Sequence, residues 1–248
     1  MTDTQTTAPA AAGLALDDRY SSGDYVEKNP TFHVERADFK AGHVLKMLAK
    51  HGVRPQSVGD IGCGAGEILR LLSEELPEAE RLEGYELSPQ GYEMCLSRAT
   101  DRLRFFNENL FETDRQYDLM LCMDVFEHVE DPWSFLRSLR PHGRRFAFHI
   151  PLDMTAFKVL RGGVLLRMRE KLGHIHYYTK GTACALLGEC GYRVVDTAYT
   201  PSGIHKRTRW TQQVMKAPRV LLHAVAPDFA ARAIGGYSLL VLAEPADA

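Results

Sequence analysis

Ser57-Val58-Gly59-Asp60-Ile61-Gly62-Cys63-Gly64-Ala65-Gly66-Glu67-Ile68-Leu69 joins a short apolar run to a helical segment through three closely spaced glycines. A strand ending at Ile61 must turn sharply there. Glycines at 62, 64 and 66 permit positive φ and let the backbone approach a ligand with no Cβ in the way. Asp60 stands at the strand's carboxyl end. The loop alone leaves two explanations, because the dinucleotide fingerprint is G-x-G-x-x-G and the third glycine here comes one residue early. A tight strand-to-helix turn without a ligand is the competing one.

Arg81-Leu82-Glu83-Gly84-Tyr85-Glu86-Leu87-Ser88-Pro89 reads as a second strand ending in an acid, with Pro89 suited to the first turn of the next helix. Glu86 falls where a carboxylate can accept from two adjacent ribose hydroxyls, about 20 residues beyond the glycine loop in dinucleotide folds. A third block, Tyr117-Asp118-Leu119-Met120-Leu121-Cys122-Met123-Asp124-Val125-Phe126-Glu127-His128-Val129, is a buried strand running into a polar loop. With D-I-G-C-G-A-G, Y-E-L-S, N-L and D-V-F-E-H-V in this order, residues 55–200 resemble the class I S-adenosylmethionine-dependent methyltransferases. They are most similar to the D-V-x-E-H-V branch, which includes ubiquinone-biosynthesis O-methyltransferases and bacterial small-molecule methyltransferases.

The resemblance implies a doubly wound α/β fold whose seven-stranded sheet is mostly parallel, with the last strand antiparallel. It implies S-adenosyl-L-methionine as cofactor and S-adenosyl-L-homocysteine as product. Asp60, Gly62, Gly64 and Gly66 would line the methionine part, Glu86 the ribose and Leu87 the adenine. Asn109-Leu110 stands where many relatives have Asp followed by an apolar residue; Asn can still pair with the adenine amino group through its carbonyl oxygen. Met123 and Asp124 would end the fourth strand under the sulfonium, strand-end packing and helix capping being their other explanation. Tyr25, Asn29 and His33 precede the core, where the family often supplies a lid; ordinary capping and aromatic packing compete with that role.

Methyl transfer is an in-line displacement that needs near-attack geometry, exclusion of water and removal of a proton where the nucleophile carries one. His128, His149 and His176 are the candidate bases, and His174 shares an H-x-H with His176. That spacing could also hold a metal, but no third ligand stands at a recognisable distance along the chain, so none is expected.

The chain has 248 residues, enough for one α/β domain with additions. Residues 1–16 read as a disordered leader, 17–52 as an N-terminal lid and helix, with Ala37 to Lys50 helical, and 53–248 as the core. Strands are expected at 57–61, 81–87, 103–107, 117–123, 144–150, 192–199 and 236–243. Connections of 152–178 and 201–234 far exceed the usual length of about 2–6 residues, which makes them candidate covers for the acceptor. The five cysteines show no C-x-x-C, and no run approaches the roughly eighteen apolar residues of a membrane span; a reduced, cytoplasmic protein is expected.

Residues 1–131 carry 13 Lys+Arg against 25 Asp+Glu, and residues 132–248 carry 17 against 7. The basic half points to an acceptor that is anionic or tethered to an acidic carrier, while the resemblance implies a small molecule methylated at oxygen in bacterial biosynthesis. Two solvated faces would account for the charge equally well. N- or C-methylation, a nicotinamide dehydrogenase and a non-catalytic scaffold docking a partner are the alternatives. Nucleic acid is disfavoured because the basic residues are not interleaved with aromatics, Trp210 beside Arg209 excepted. Oligomeric state is not legible.

Overall fold

The computed structural model describes residue 31, residues 34–201 and residues 222–246. Seven strands form one sheet: β1 (Ser57–Ile61), β2 (Arg81–Tyr85), β3 (Leu103–Phe106), β4 (Tyr117–Met123), β5 (Gly143–Pro151), β6 (Tyr192–Pro201) and β7 (Tyr237–Pro245). Their order is β3-β2-β1-β4-β5-β7-β6. All neighbours are parallel except β7, which runs antiparallel to both β5 and β6. The expected doubly wound sheet is therefore the observed one.

Helices α1 (Ala37–Lys50), α2 (Glu67–Glu75), α3 (Pro89–Leu96), α4 (Pro132–Leu139), α5 (Ala156–Leu160), α6 (Val164–Leu172), α7 (Lys180–Glu189) and α8 (Pro227–Ala233) accompany the sheet, with short 3₁₀ turns at Val34–Arg36, Leu110–Glu112, Phe126–His128 and Arg140–His142. Local chemistry sets their starts. Ser88 and Asp131 each accept a backbone N–H three residues on, from Gly91 and Ser134, and each is followed by proline at the first helical position.

Strand alternation explains why both faces are covered. On β4, Leu119, Leu121 and Met123 pack with Val44 and Leu48 of α1 and Leu69 and Leu72 of α2. Met120 and Cys122 point the other way, toward Leu136 and Leu139 of α4 and Leu186 and Leu187 of α7. Parallel strands buried on both faces read as continuous apolar runs, as β4 does. The strand order reverses beside β1 and β4, so the crevice outside their carboxyl ends is where a doubly wound sheet takes a ligand.

The long connection after β5 carries α5 and α6, neither of which buries a residue. Among the described residues, no helix is long and apolar enough to cross a membrane, and all five cysteines are free thiols.

Candidate active site

The carboxyl ends of β1, β2 and β4 bring the predicted residues to one edge. Gly62, Gly64 and Gly66 have φ of 68°, 58° and 76°. At Gly66 a Cβ would lie 2.5 Å from the Phe105 ring, and at Gly62 2.9 Å from Val125, so both positions need glycine for conformation and for space. The loop is tied down by N–H groups of Gly62 and Cys63 donating to the Tyr85 carbonyl at 2.8 and 3.1 Å.

Glu86 lies just past β2, which ends two residues earlier than expected. Its carboxylate accepts from Gly64 N–H and from Ser88 N–H, both at 2.8 Å, bridging the glycine loop and the cap of α3. Burial raises Glu86 to about 7, against the pull of those N–H groups. Asp60 is 1% exposed and its Oδ1 has no hydrogen-bond partner. Burial pushes Asp60 up to about 8, with Lys40 opposing and Glu86 adding to the rise.

Leu87 is 37% exposed, an apolar side chain free to pack on a ring. Asn109 has a local duty: its Oδ1 accepts from Phe111 N–H at 3.1 Å and its Nδ2 donates to Glu112 at 3.3 Å, capping a short turn. One lone pair on Oδ1 remains for a ligand. The Leu110 side chain is buried in the core, so any part it plays runs through its backbone. Asn107, which the sequence reading passed over, donates to the Glu86 carbonyl at 2.7 Å and holds this loop. Tyr25, Asn29 and His33 lie outside the described residues.

Met123 is buried at the end of β4, and Asp124 follows with a left-handed φ of 61°. Asp124 is held by Lys40 Nζ at 2.7 Å and by His149 Nδ1 at 2.5 Å. Burial would raise Asp124, but His149 and Lys40 outweigh it and keep the carboxyl well below the usual range. His149 is 1% exposed, and its Nε2 meets Thr200 Oγ1 at 2.8 Å. Burial holds its pKa down against the pull of Asp124. Both ring nitrogens of this expected base are thus committed inside the protein.

The other histidines assemble differently from their spacing. Ile175 and His176 N–H donate to the Glu127 carbonyl at 2.9 and 3.1 Å, which seats the segment after α6 against the 126–128 turn. His174 consequently meets His128 edge-on, ring centroids 4.9 Å apart. Its Nδ1 lies 2.6 Å from Asp153 Oδ2, and Asp153 Oδ1 also binds Lys158 at 2.5 Å. His176 turns elsewhere, donating from Nε2 to the Val129 carbonyl at 2.9 Å.

Glu127 is fully buried with neither carboxylate oxygen hydrogen-bonded; burial first, then Asp124 and Asp153, push its pKa well up. One ligand atom each from Glu127, His128 and His174 lie within 4.8 Å of one another, so these three could hold a cation. Of the H-x-H pair only His174 joins this group, with Glu127 and His128, which linear spacing does not connect to it. His174, Asp153, Lys40 and Thr200 had no assigned role in the sequence reading; only the H-x-H hinted at the first.

A family model described as a methyltransferase domain matches residues 33–197. The chain belongs to this methyltransferase family. Its donor is S-adenosylmethionine, and the dehydrogenase and scaffold alternatives fall away. The methyltransferase is 29% identical over 196 residues to a ubiquinone biosynthesis O-methyltransferase of Aeromonas salmonicida, covering 68% of this chain and 77% of that one. It is 28% identical over 165 residues to a malonyl-[acyl-carrier protein] O-methyltransferase of Hahella chejuensis, spanning 61% of this chain and 57% of that relative. The fold matches magnesium protoporphyrin IX methyltransferase from Synechocystis PCC 6803 with bound SAH at a TM-score of 0.60 and 17% identity, covering 95% and 100% of the two chains.

The residues present fit the methyl donor. Asp60 offers an unpartnered buried oxygen, Glu86 a carboxylate beside the glycine loop, and Leu87 an exposed apolar face.

Proposed function

We propose that this methyltransferase acts on a hydroxyl oxygen of a small molecule that is anionic or carried by an acidic protein. When bound, S-adenosylmethionine supplies an activated methyl group. The chain's own residues must then hold the acceptor, exclude water and take the hydroxyl proton. The observation that carries this reading is the His174–Asp153 pair at 2.6 Å with His128 against it. A carboxylate on Nδ1 orients an imidazole and stabilises it once protonated, leaving Nε2 to accept a proton. An oxygen nucleophile needs such a group more than a neutral amine does. Relatives named as O-methyltransferases support the same choice.

The acceptor's charge is inferred from Arg161, Arg167, Arg169 and Lys171, all exposed on α6 and the turn before it, beside a single acid, Glu170. Lys158 drops out of that field, because it is spent on Asp153. The expected second cluster, Lys206, Arg207, Arg209, Lys216 and Arg219, lies outside the described residues.

The buried Glu127 oxygens, which make no hydrogen bond and of which Oε1 lies 3.9 Å from His128 Nε2, favour a second reading, in which Glu127, His128 and His174 hold a divalent cation that acidifies the hydroxyl. The test is transfer of labelled methyl to a panel of hydroxyl, amine and carbon acceptors, before and after chelation. Hydroxyl products at an unchanged rate after chelation support the histidine pair; loss restored by a divalent cation supports the second reading, and products at nitrogen or carbon reject both.

A further inference from the structure

Lys40 is the one buried lysine or arginine among the described residues, and it comes from α1, an element that carries none of the predicted donor-site residues. Its ammonium meets Asp124 Oδ2, while Asp124 Oδ1 meets His149 and His149 meets Thr200, so that α1 and the ends of β4, β5 and β6 join in one polar chain, buried except at Asp124, whose side chain is 25% exposed. Asp124 is also the sole non-glycine residue with positive φ among those described. Aspartate tolerates that conformation better than most side chains, and its two partners hold it there.

Asp60, Glu86 and Asp124 gather at the same edge of the sheet. Lys40 is committed to Asp124 by direct contact, and Glu86 to backbone N–H groups, whereas Asp60 keeps an oxygen with no partner. A buried charge persists only where something compensates it. Resting on the donor-site reading above, we propose that Lys40 is a positioning residue: it takes up the charge of Asp124 and holds that turn, so that Asp60 is the carboxylate left to answer a cationic methyl donor.

S-adenosylmethionine carries a positive sulfonium that S-adenosylhomocysteine lacks. The ratio of their affinities therefore reads the charge presented by the site, whereas lost packing weakens both ligands alike. Both dissociation constants are measured by calorimetry at one pH for wild type, Lys40→Met, Asp124→Asn, the double variant and Lys40→Arg. Lys40→Met should move the ratio toward S-adenosylmethionine by about tenfold, and Asp124→Asn toward S-adenosylhomocysteine by about as much, the scale of one partly buried charge. In the double variant and in Lys40→Arg the ratio should return to within about twofold of wild type. Should Lys40→Met not fold, the shifted ratio in Asp124→Asn beside the unchanged ratio in Lys40→Arg carries the same test.

A ratio constant across all variants, with both affinities falling together, overturns the proposal and leaves Lys40 a packing role. Asp60→Asn and Glu86→Ala serve as controls for the location of the donor. If neither changes binding, the donor-site reading has failed and this proposal with it; if both weaken binding while the ratio stays constant, only the role of Lys40 is lost.

Discussion

His174 Nδ1 lies 2.6 Å from Asp153 Oδ2, and the edge of the same imidazole meets the His128 ring. Asp153 is held below the usual carboxylate range by His174 and by Lys158, which together outweigh its burial. An ionised Asp153 fixes the imidazole tautomer, with Nδ1–H donating to the carboxylate. If this histidine takes the acceptor's proton, His174→Ala should slow methyl transfer by roughly 10²–10⁴-fold while S-adenosylhomocysteine still binds. Asp153→Asn should show a smaller loss of the same kind. Single-turnover rates beside calorimetric affinities separate the two effects, and full activity in His174→Ala would return the role to His128.

Protonation of Asp60 and Glu86 should be visible in donor binding. Their pKa values of about 8 and about 7 mean that both carry protons at mildly acid pH in the free protein. A cationic ligand favours the ionised forms, so binding expels protons and S-adenosylmethionine affinity should rise from about pH 6 to about pH 8.5. The folded protein alone should behave oppositely. A carboxyl raised by folding holds a proton that the unfolded chain has lost, so stability from Asp60 falls as pH rises from its unfolded value of 3.8 to about 8. Titrations in buffers of different ionisation enthalpy would count the protons; a pH-independent affinity would contradict the assignment.

The basic surface makes a kinetic prediction. Steering by clustered charges raises association rates by about 10–10³-fold and fades as the Debye length falls to roughly 3 Å at 1 M salt. With a natural acceptor in hand, kcat/KM should drop with salt, and Arg167→Glu should lower it about tenfold at low salt only. Turnover indifferent to both would favour a neutral acceptor held by apolar contacts from Phe157, Leu165 and Met168. Arg209→Glu extends the test beyond the described residues.

What was legible in the sequence was what local chemistry decides. The strands at 57–61 and 117–123 and the helix at 37–50 end where expected, because burial periodicity, glycines and flanking turns mark their limits. The strand expected over 81–87 stops at Tyr85, since Glu86 turns its carboxylate onto the N–H groups of Gly64 and Ser88. Pairings between distant segments left no trace. Lys158 reads as one more surface cation until the fold sets Asp153 against it, and Lys40 as one more polar residue on a helix until β4 ends beneath it. The H-x-H spacing drew attention to two residues that the fold separates, sending His174 to Asp153 and His176 to the Val129 carbonyl.

The location of the donor site is tested most directly by calorimetric titration of S-adenosylmethionine and S-adenosylhomocysteine into wild type and Glu86→Ala. Wild type should bind both saturably, and removing the carboxylate beside the glycine loop should weaken each by about 1.5–3 kcal/mol, the scale of hydrogen bonds to a charged group. Equal affinities in the two proteins, or saturable binding of a nicotinamide dinucleotide in place of both ligands, would contradict it.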